Sequence, residues 1–145
     1  MGLFSFYKKP TAAQKKEIEA ALSRGRTCAK RLESLDSIDK YFTEWDKYMK
    51  EEEILEYYED QRIKFTVSPR KIHSMVCAEI PRIEKDTIMR SYDRMQRDAA
   101  KLSTDSGKKK KAEKFFNELE YYYSRLQPES VQLIQQLKNG CQLLQ

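Results

Sequence analysis

The chain has 145 residues, 35% of them charged and 39% hydrophobic, with 28 Lys+Arg, 23 Asp+Glu, one His and a net charge of +5. Its 4 Gly and 4 Pro are too few for the many turns of a β-sandwich or barrel. No apolar run approaches the roughly 18 residues a membrane span needs, and 9 Tyr, 6 Phe and 1 Trp argue against disorder. The composition therefore predicts a soluble, all-α fold, an irregular helical bundle of about five helices. We expect a single helical domain over 11–145 behind an N-terminal tail, 1–10.

Cys28, Cys77 and Cys141 are odd in number and show no CxxC spacing, so no closed disulfide framework is expected and a reduced, cytoplasmic setting suits them. The amino terminus has no basic region ahead of a long apolar stretch, so it does not read as a secretory signal. Myristoylation of Gly2 would need Ser or Thr where this chain has Phe6. Leu3, Phe4, Phe6 and Tyr7, followed by Lys8 and Lys9, read as a tail tucked against the domain, since so short a segment anchors weakly to a membrane.

The first helix is predicted over 11–34, after Pro10. Ile18, Leu22, Gly25, Ala29 and Leu32 recur at alternating steps of four and three, the spacing of a helix lying along a partner. Gly25 and Ala29 permit close approach but bury little area. Asp36 can cap a second helix, with Asp39 in its first turn. Ile38, Tyr41, Phe42, Trp45, Tyr48 and Met49 share one face of it. Beyond them Glu52 takes the expected apolar slot, while Ile54, Tyr57 and Tyr58 point elsewhere. Such a helix either bends near 50–53 or touches two surfaces, as it would between a core and a partner subunit.

Ile63, Lys64, Phe65, Thr66 and Val67 alternate apolar and polar and form an extended connector, since one strand makes no sheet. Ser68 and Pro69 open a short helix to about residue 79. Pro81 predicts a break there, with a long helix over 82–102 beyond it. Ile88, Tyr92, Met95, Ala99 and Leu102 line that helix. Ser103, Thr104, Asp105, Ser106 and Gly107 read as a loop. An amphipathic helix over 112–126 carries Ala112, Phe115, Phe116, Leu119, Tyr122, Tyr123 and Leu126 on one face. Pro128 opens a last short helix that Asn139 and Gly140 close.

Charge is segregated: residues 1–35 carry +5, 36–62 carry −6, 63–111 carry +7 and 112–145 carry −1. An acidic helix between basic regions suits internal pairing or an antiparallel dimer. Arg90, Arg94, Arg97 and Lys101 form a basic stripe at helical spacing, and Lys108, Lys109, Lys110 and Lys111 follow beyond it. Such a stripe could track a phosphate backbone. Asp86, Asp93 and Asp98 flank it, however, and pairs such as Arg90 with Asp86 would make it a solvated face. No helix-turn-helix, zinc-finger or RNP-type signature accompanies the stripe.

His73 and Cys77 stand four apart, as two metal ligands or a thiol–imidazole pair would. A metal needs further ligands and a nucleophile needs an orienting group, and neither is evident nearby. The reading is a surface His73 beside an apolar-facing Cys77, with no metal, cofactor or catalytic residue. The acidic run Glu51, Glu52, Glu53, Glu56, Glu59 and Asp60 reads as a solvated face. The signatures of nucleotide-binding loops, zinc hydrolases and serine hydrolases are absent from the sequence. Ile54, Tyr57, Tyr58 and Tyr121 fall outside their helices' main stripes and form the candidate interaction surface.

Tyr41-Phe42-x-x-Trp45-Asp46, Ser68-Pro69, Ile83 through Ile88-x-x-x-Tyr92-Asp93, and Lys108 through Phe115-Phe116-x-x-Leu119 together resemble an all-helical segment of uncharacterised proteins of Gram-positive bacteria. The resemblance covers roughly residues 36–137 and implies helices and a bacterial cytoplasmic origin, but no activity. The expected function is a non-enzymatic protein-interaction or scaffold module, with a protein partner or a second copy as a homodimer. A nucleic-acid-binding accessory protein using the basic stripe is the alternative.

Overall fold

Five α-helices carry the described residues, 7–145 in this computed structural model: α1 (Ala12–Leu32), α2 (Ile38–Asp60), α3 (Pro69–Ala100), α4 (Asp105–Tyr121) and α5 (Pro128–Gly140), followed by a 3-10 turn over Gln142–Leu144. The fold is all-α as expected. The readings at Gly2, Leu3, Phe4 and Phe6 lie outside the described residues.

Three boundaries differ from the sequence expectation, the third being the end of α4 at Tyr121 rather than 126. The first concerns Pro81, which does not break the chain: α3 is one helix of 32 residues with Pro81 inside it. A proline in a helix interior costs about 3 kcal/mol through its missing N–H and its ring clash. Ile80, Ile83 and Ile88 are all buried around it, and each buried isoleucine contributes about 1.5–3 kcal/mol. Burial therefore wins. The second concerns 103–107, of which only Ser103 and Thr104 lie outside helix, since α4 already begins at Asp105. Thr104 is the N-cap of α4, its hydroxyl accepting from the Gly107 N–H at 3.0 Å. A Cβ at position 107 would stand 2.9 Å from that hydroxyl, so the cap needs glycine there. The cap moves the lysine run into the first turns of α4. At its other end α4 stops at Tyr121, because the Tyr122 and Tyr123 amides bond to Leu119 and Glu120 in a tighter turn.

The chain divides into two compact units, Met1–Leu32 with Phe42–Ala78, and Glu33–Tyr41 with Glu79–Gln145. In the first, α1 and α2 run antiparallel. Three cross-links mark the register: Glu17 with the Tyr58 hydroxyl, Arg24 with Glu51 at 2.8 Å, and Arg31 with Glu44 at 3.6 Å. They recur every seven residues on both helices, so the basic and acidic segments pair within one chain. Ile18, Ala21, Leu55, Tyr58 and Ile63 form the core of this unit, with Leu22, Ile54 and Phe65 packed against it.

Tyr58 is therefore a core residue rather than part of an exposed surface; its ring fills the α1–α2 seam and its hydroxyl finds Glu17. The face of α2 that carries Glu52 meets the start of α3, where Glu59 binds Arg70 at 2.9 Å and Glu52 faces His73 at 3.7 Å. Glu51, Glu52 and Glu59 are thus paired and largely covered, not a solvated face. Of the second face predicted for α2, Ile54 and Tyr58 pack within the chain, while Tyr57 stays exposed.

Arg62 ends α2 in a left-handed conformation (φ 58°), with its N–H bonded to Glu59 and the Ile63 N–H to Tyr58. The connector at 63–67 is free of helix as expected; it starts with a β-bridge at Ile63 and bends at Thr66 and Val67. It is held by a parallel bridge between Lys8 and Ile63, the one β-type pairing among the described residues.

Gly25 is buried in the α1–α2 seam, yet a methyl group there would meet Glu51 and Tyr48 only at ordinary contact distances of 3.7 and 3.9 Å. Gly25→Ala removes the entropic cost of a helical glycine without overpacking, so it is expected to stabilise the fold by about 0.5–1 kcal/mol in chemical denaturation.

In the second unit Ile83, Ile88, Met95 and Ala99 of α3, Ala112, Phe116 and Leu119 of α4, and Ile134 of α5 are buried. Tyr92 lies 6.1 and 6.2 Å from Phe115 and Phe116, which pack edge to face. Glu84 is the polar node, 2% exposed. It accepts from the Tyr41 hydroxyl at 3.1 Å, the Gln127 amide at 2.9 Å and the Ser130 hydroxyl at 2.8 Å. The side chain of Gln127, the N-cap residue of α5, makes no cap of its own. Glu84 does that work from α3, where its acidic group also faces the positive end of the α5 dipole.

Candidate functional site

Two features of the described residues combine polar chemistry with access. The first is an open groove of about 560 Å³ in the second unit, between α3 and α4 and bordered by the start of α2. Ser91, Met95 and Leu119 lie along it, and Arg94, Asp98, Lys111, Lys114, Glu118 and Tyr121 supply its charged and aromatic lining. Arg94 is held between Asp36 at 3.2 Å and Asp98 at 3.9 Å. Tyr122 donates to Asp39 at 2.5 Å, and that bond, followed by burial, pushes the phenol up to about 12. Tyr121, beside it, is 81% exposed.

The groove draws on both residue sets read from the sequence, Arg94 and Lys111 from the basic stripe and Tyr121 from the aromatic surface. The remainder of each set disperses. Arg90 turns inward to the Leu35 carbonyl at 2.8 Å, and Asp86 binds Arg82 at 3.2 Å instead of Arg90. Arg97, Lys101, Lys109 and Lys110 are exposed. Lys108 lines a smaller recess of about 380 Å³ with Gln96 and Gln142. Ile54 packs against the core of the first unit, and Tyr57 stays 59% exposed, its ring edge-on to Tyr58.

No protein-family model, curated protein or solved structure matches the chain. The functional reading therefore rests on the geometry of the chain itself.

The second feature is a polar cluster in the first unit. His73 Nδ1 lies 2.9 Å from the Tyr48 hydroxyl and 3.7 Å from Glu52, and its Nε2 lies 3.4 Å from Cys77 Sγ. The Tyr48 and His73 rings stack at 5.7 Å and 15°. Burial, followed by Glu52, raises the Tyr48 phenol far above its ordinary range. Burial also raises the Glu52 carboxyl, with His73 and Tyr48 opposing. The Cys77 thiol rises through burial and then Glu52.

The sequence placed His73 and Cys77 together but missed Tyr48 and Glu52. Those two are i, i+4 on α2, so they share a face, and that spacing was the available signal. Among the described residues no group of three or more His, Cys, Asp or Glu is placed to hold a metal, and no helix is long and apolar enough to cross a membrane.

Proposed function

We propose that the chain is a non-enzymatic protein-interaction module that pairs with a second copy through the α4 side of the groove. The observation behind this reading is the order of side chains along that wall. Lys111, Lys114, Glu118 and Tyr121 follow at steps of three, four and three, and all line the groove. Both signs of charge therefore sit on one helix face, a self-complementary pattern suited to a two-fold contact. In an antiparallel pairing centred at residue 116, Lys114 of one copy opposes Glu118 of the other, and Lys111 opposes Tyr121. Each contact occurs twice, the first an ion pair and the second a cation over an aromatic face. Arg94, already neutralised by Asp36 and Asp98, adds no repulsion. Three free thiols suit a reducing compartment for such a module.

Size-exclusion chromatography with light scattering tests the reading. A concentration-dependent dimer that salt weakens is expected. Glu118→Lys should weaken it at least about tenfold, by setting like charges opposite one another. The swap Lys114→Glu with Glu118→Lys should restore it. A strict monomer at high concentration, or a dimer indifferent to both variants, would defeat the proposal.

A further inference from the structure

Cys77 is the exposed thiol of the chain; Cys28 and Cys141 are buried. Its sulfur lies 3.4 Å from one nitrogen of His73. The other nitrogen is held from a different helix, by the Tyr48 hydroxyl at 2.9 Å and Glu52 at 3.7 Å. The stacked Tyr48 ring fixes the plane of the imidazole. A nucleophile, a base within reach of it, and an orienting group on the far side of the base are the three parts of an activated thiol. The next charged groups along this face, Glu59 and Arg70, are bound to each other at 2.9 Å.

We propose that Cys77 is a modification site for low-molecular-weight disulfides, with His73 taking its proton and Glu52 and Tyr48 steadying the imidazolium that results. In the step, the S–H proton moves to His73 Nε2 and Cys77 Sγ attacks one sulfur of R–S–S–R. The S–S bond breaks, and the departing thiolate takes the proton back from Nε2. The products are Cys77–S–S–R and R–SH, so Cys77 is oxidised and one R–S group reduced.

The class of reactant follows from the surroundings. Acyl transfer needs donors aimed at a developing oxyanion. Cys77 sits inside α3, where backbone N–H groups are engaged in the helix. Disulfide exchange leaves its charge on sulfur and needs no such donors. With the other two cysteines buried, no second thiol of the chain is at hand to displace R–SH, so the chain does not resolve the mixed disulfide itself.

Glu52 affects this reaction in two opposed ways. With partial burial, its charge pushes the Cys77 thiol up and so disfavours the thiolate. As the partner of His73 it stabilises the imidazolium, which speeds the reaction. The sign of the effect of Glu52→Gln therefore separates the relay from a thiol that merely feels a nearby charge.

The experiment treats the full chain with bis(2-hydroxyethyl) disulfide at neutral pH and follows adduct formation by intact mass. One adduct is expected, at Cys77 and lost in Cys77→Ser. His73→Asn should slow it by about 100-fold, the lower end of general-base contributions. Glu52→Gln, and Tyr48→Phe as a milder second probe of the orienting side, should slow it as well. Equal rates in His73→Asn, faster reaction in Glu52→Gln, or an adduct that survives Cys77→Ser would overturn the proposal.

Discussion

Replacing Glu84 by Ala is expected to cost about 3–5 kcal/mol in chemical denaturation, a large share of the stability of a domain this size. The substitution takes their shared acceptor from three donors at once: the Tyr41 hydroxyl, the Gln127 amide and the Ser130 hydroxyl. Tyr41 and Ser130 are themselves buried, so water does not replace the lost acceptor without opening the unit. Each buried donor left alone costs about 1–3 kcal/mol, and the start of α5 loses its only cap from a side chain of another helix. Glu84→Gln keeps one acceptor oxygen and should cost about 1–2 kcal/mol. Hydrogen exchange gives a local check, since the first amides of α5 should lose protection before the rest of the unit. A loss below about 1 kcal/mol in Glu84→Ala would show that water or a neighbour takes over the cap.

Tyr48→Ala is the corresponding lesion in the first unit, with an expected cost of about 3–5 kcal/mol. Tyr48 is 1% exposed, packs on Trp45 at 5.2 Å, stacks on His73 and lies against Gly25. Removing the ring leaves a cavity between α1 and α2 that the helices can close only by disturbing their heptad register of polar cross-links. Tyr48→Phe keeps the ring and loses the hydroxyl, so its cost should fall to about 1–2 kcal/mol. That variant should also shift the imidazole resonances of His73, which loses a partner at 2.9 Å. If Tyr48→Ala and Tyr48→Phe cost the same, the hydroxyl rather than the packed ring would be the stabilising part.

The two variants read different kinds of information. The packing of Tyr48 was visible in advance: Ile38, Tyr41, Phe42 and Tyr48 fall on one helical face, and all four are buried. Periodicity is a local property of the chain, so it reports which side of a helix turns away from water. The polar partners of Tyr48 and Glu84 come from other helices and leave no periodic trace. Glu84 reads as one more charge in a basic stretch. Only the approach of the Gln127 amide and the Ser130 hydroxyl turns it into the cap of α5.

The candidate sites divide in the same way. The basic stripe exists as spacing, but Arg90 is spent on the Leu35 carbonyl and Arg94 on Asp36. Tyr57, Tyr58 and Tyr121 all lie off their stripes, yet Tyr58 is buried and Tyr121 is the most exposed large apolar side chain among the described residues. A residue on the second face of a helix can meet its own chain or solvent, and the helix alone does not distinguish them.

By itself the sequence determined that this protein is helical, where most helices begin, and that an acidic segment would lie against a basic one. Gly and Pro content, capping residues and charge order are written along the chain and act over a turn or two. The tertiary structure decided that Pro81 stays inside a helix, that Glu44 and Glu51 meet Arg31 and Arg24, and that Cys77 and His73 gain Tyr48 and Glu52. Those outcomes depend on burial and on partners tens of residues away, where the gain from packing outweighs local preference and no local pattern records it.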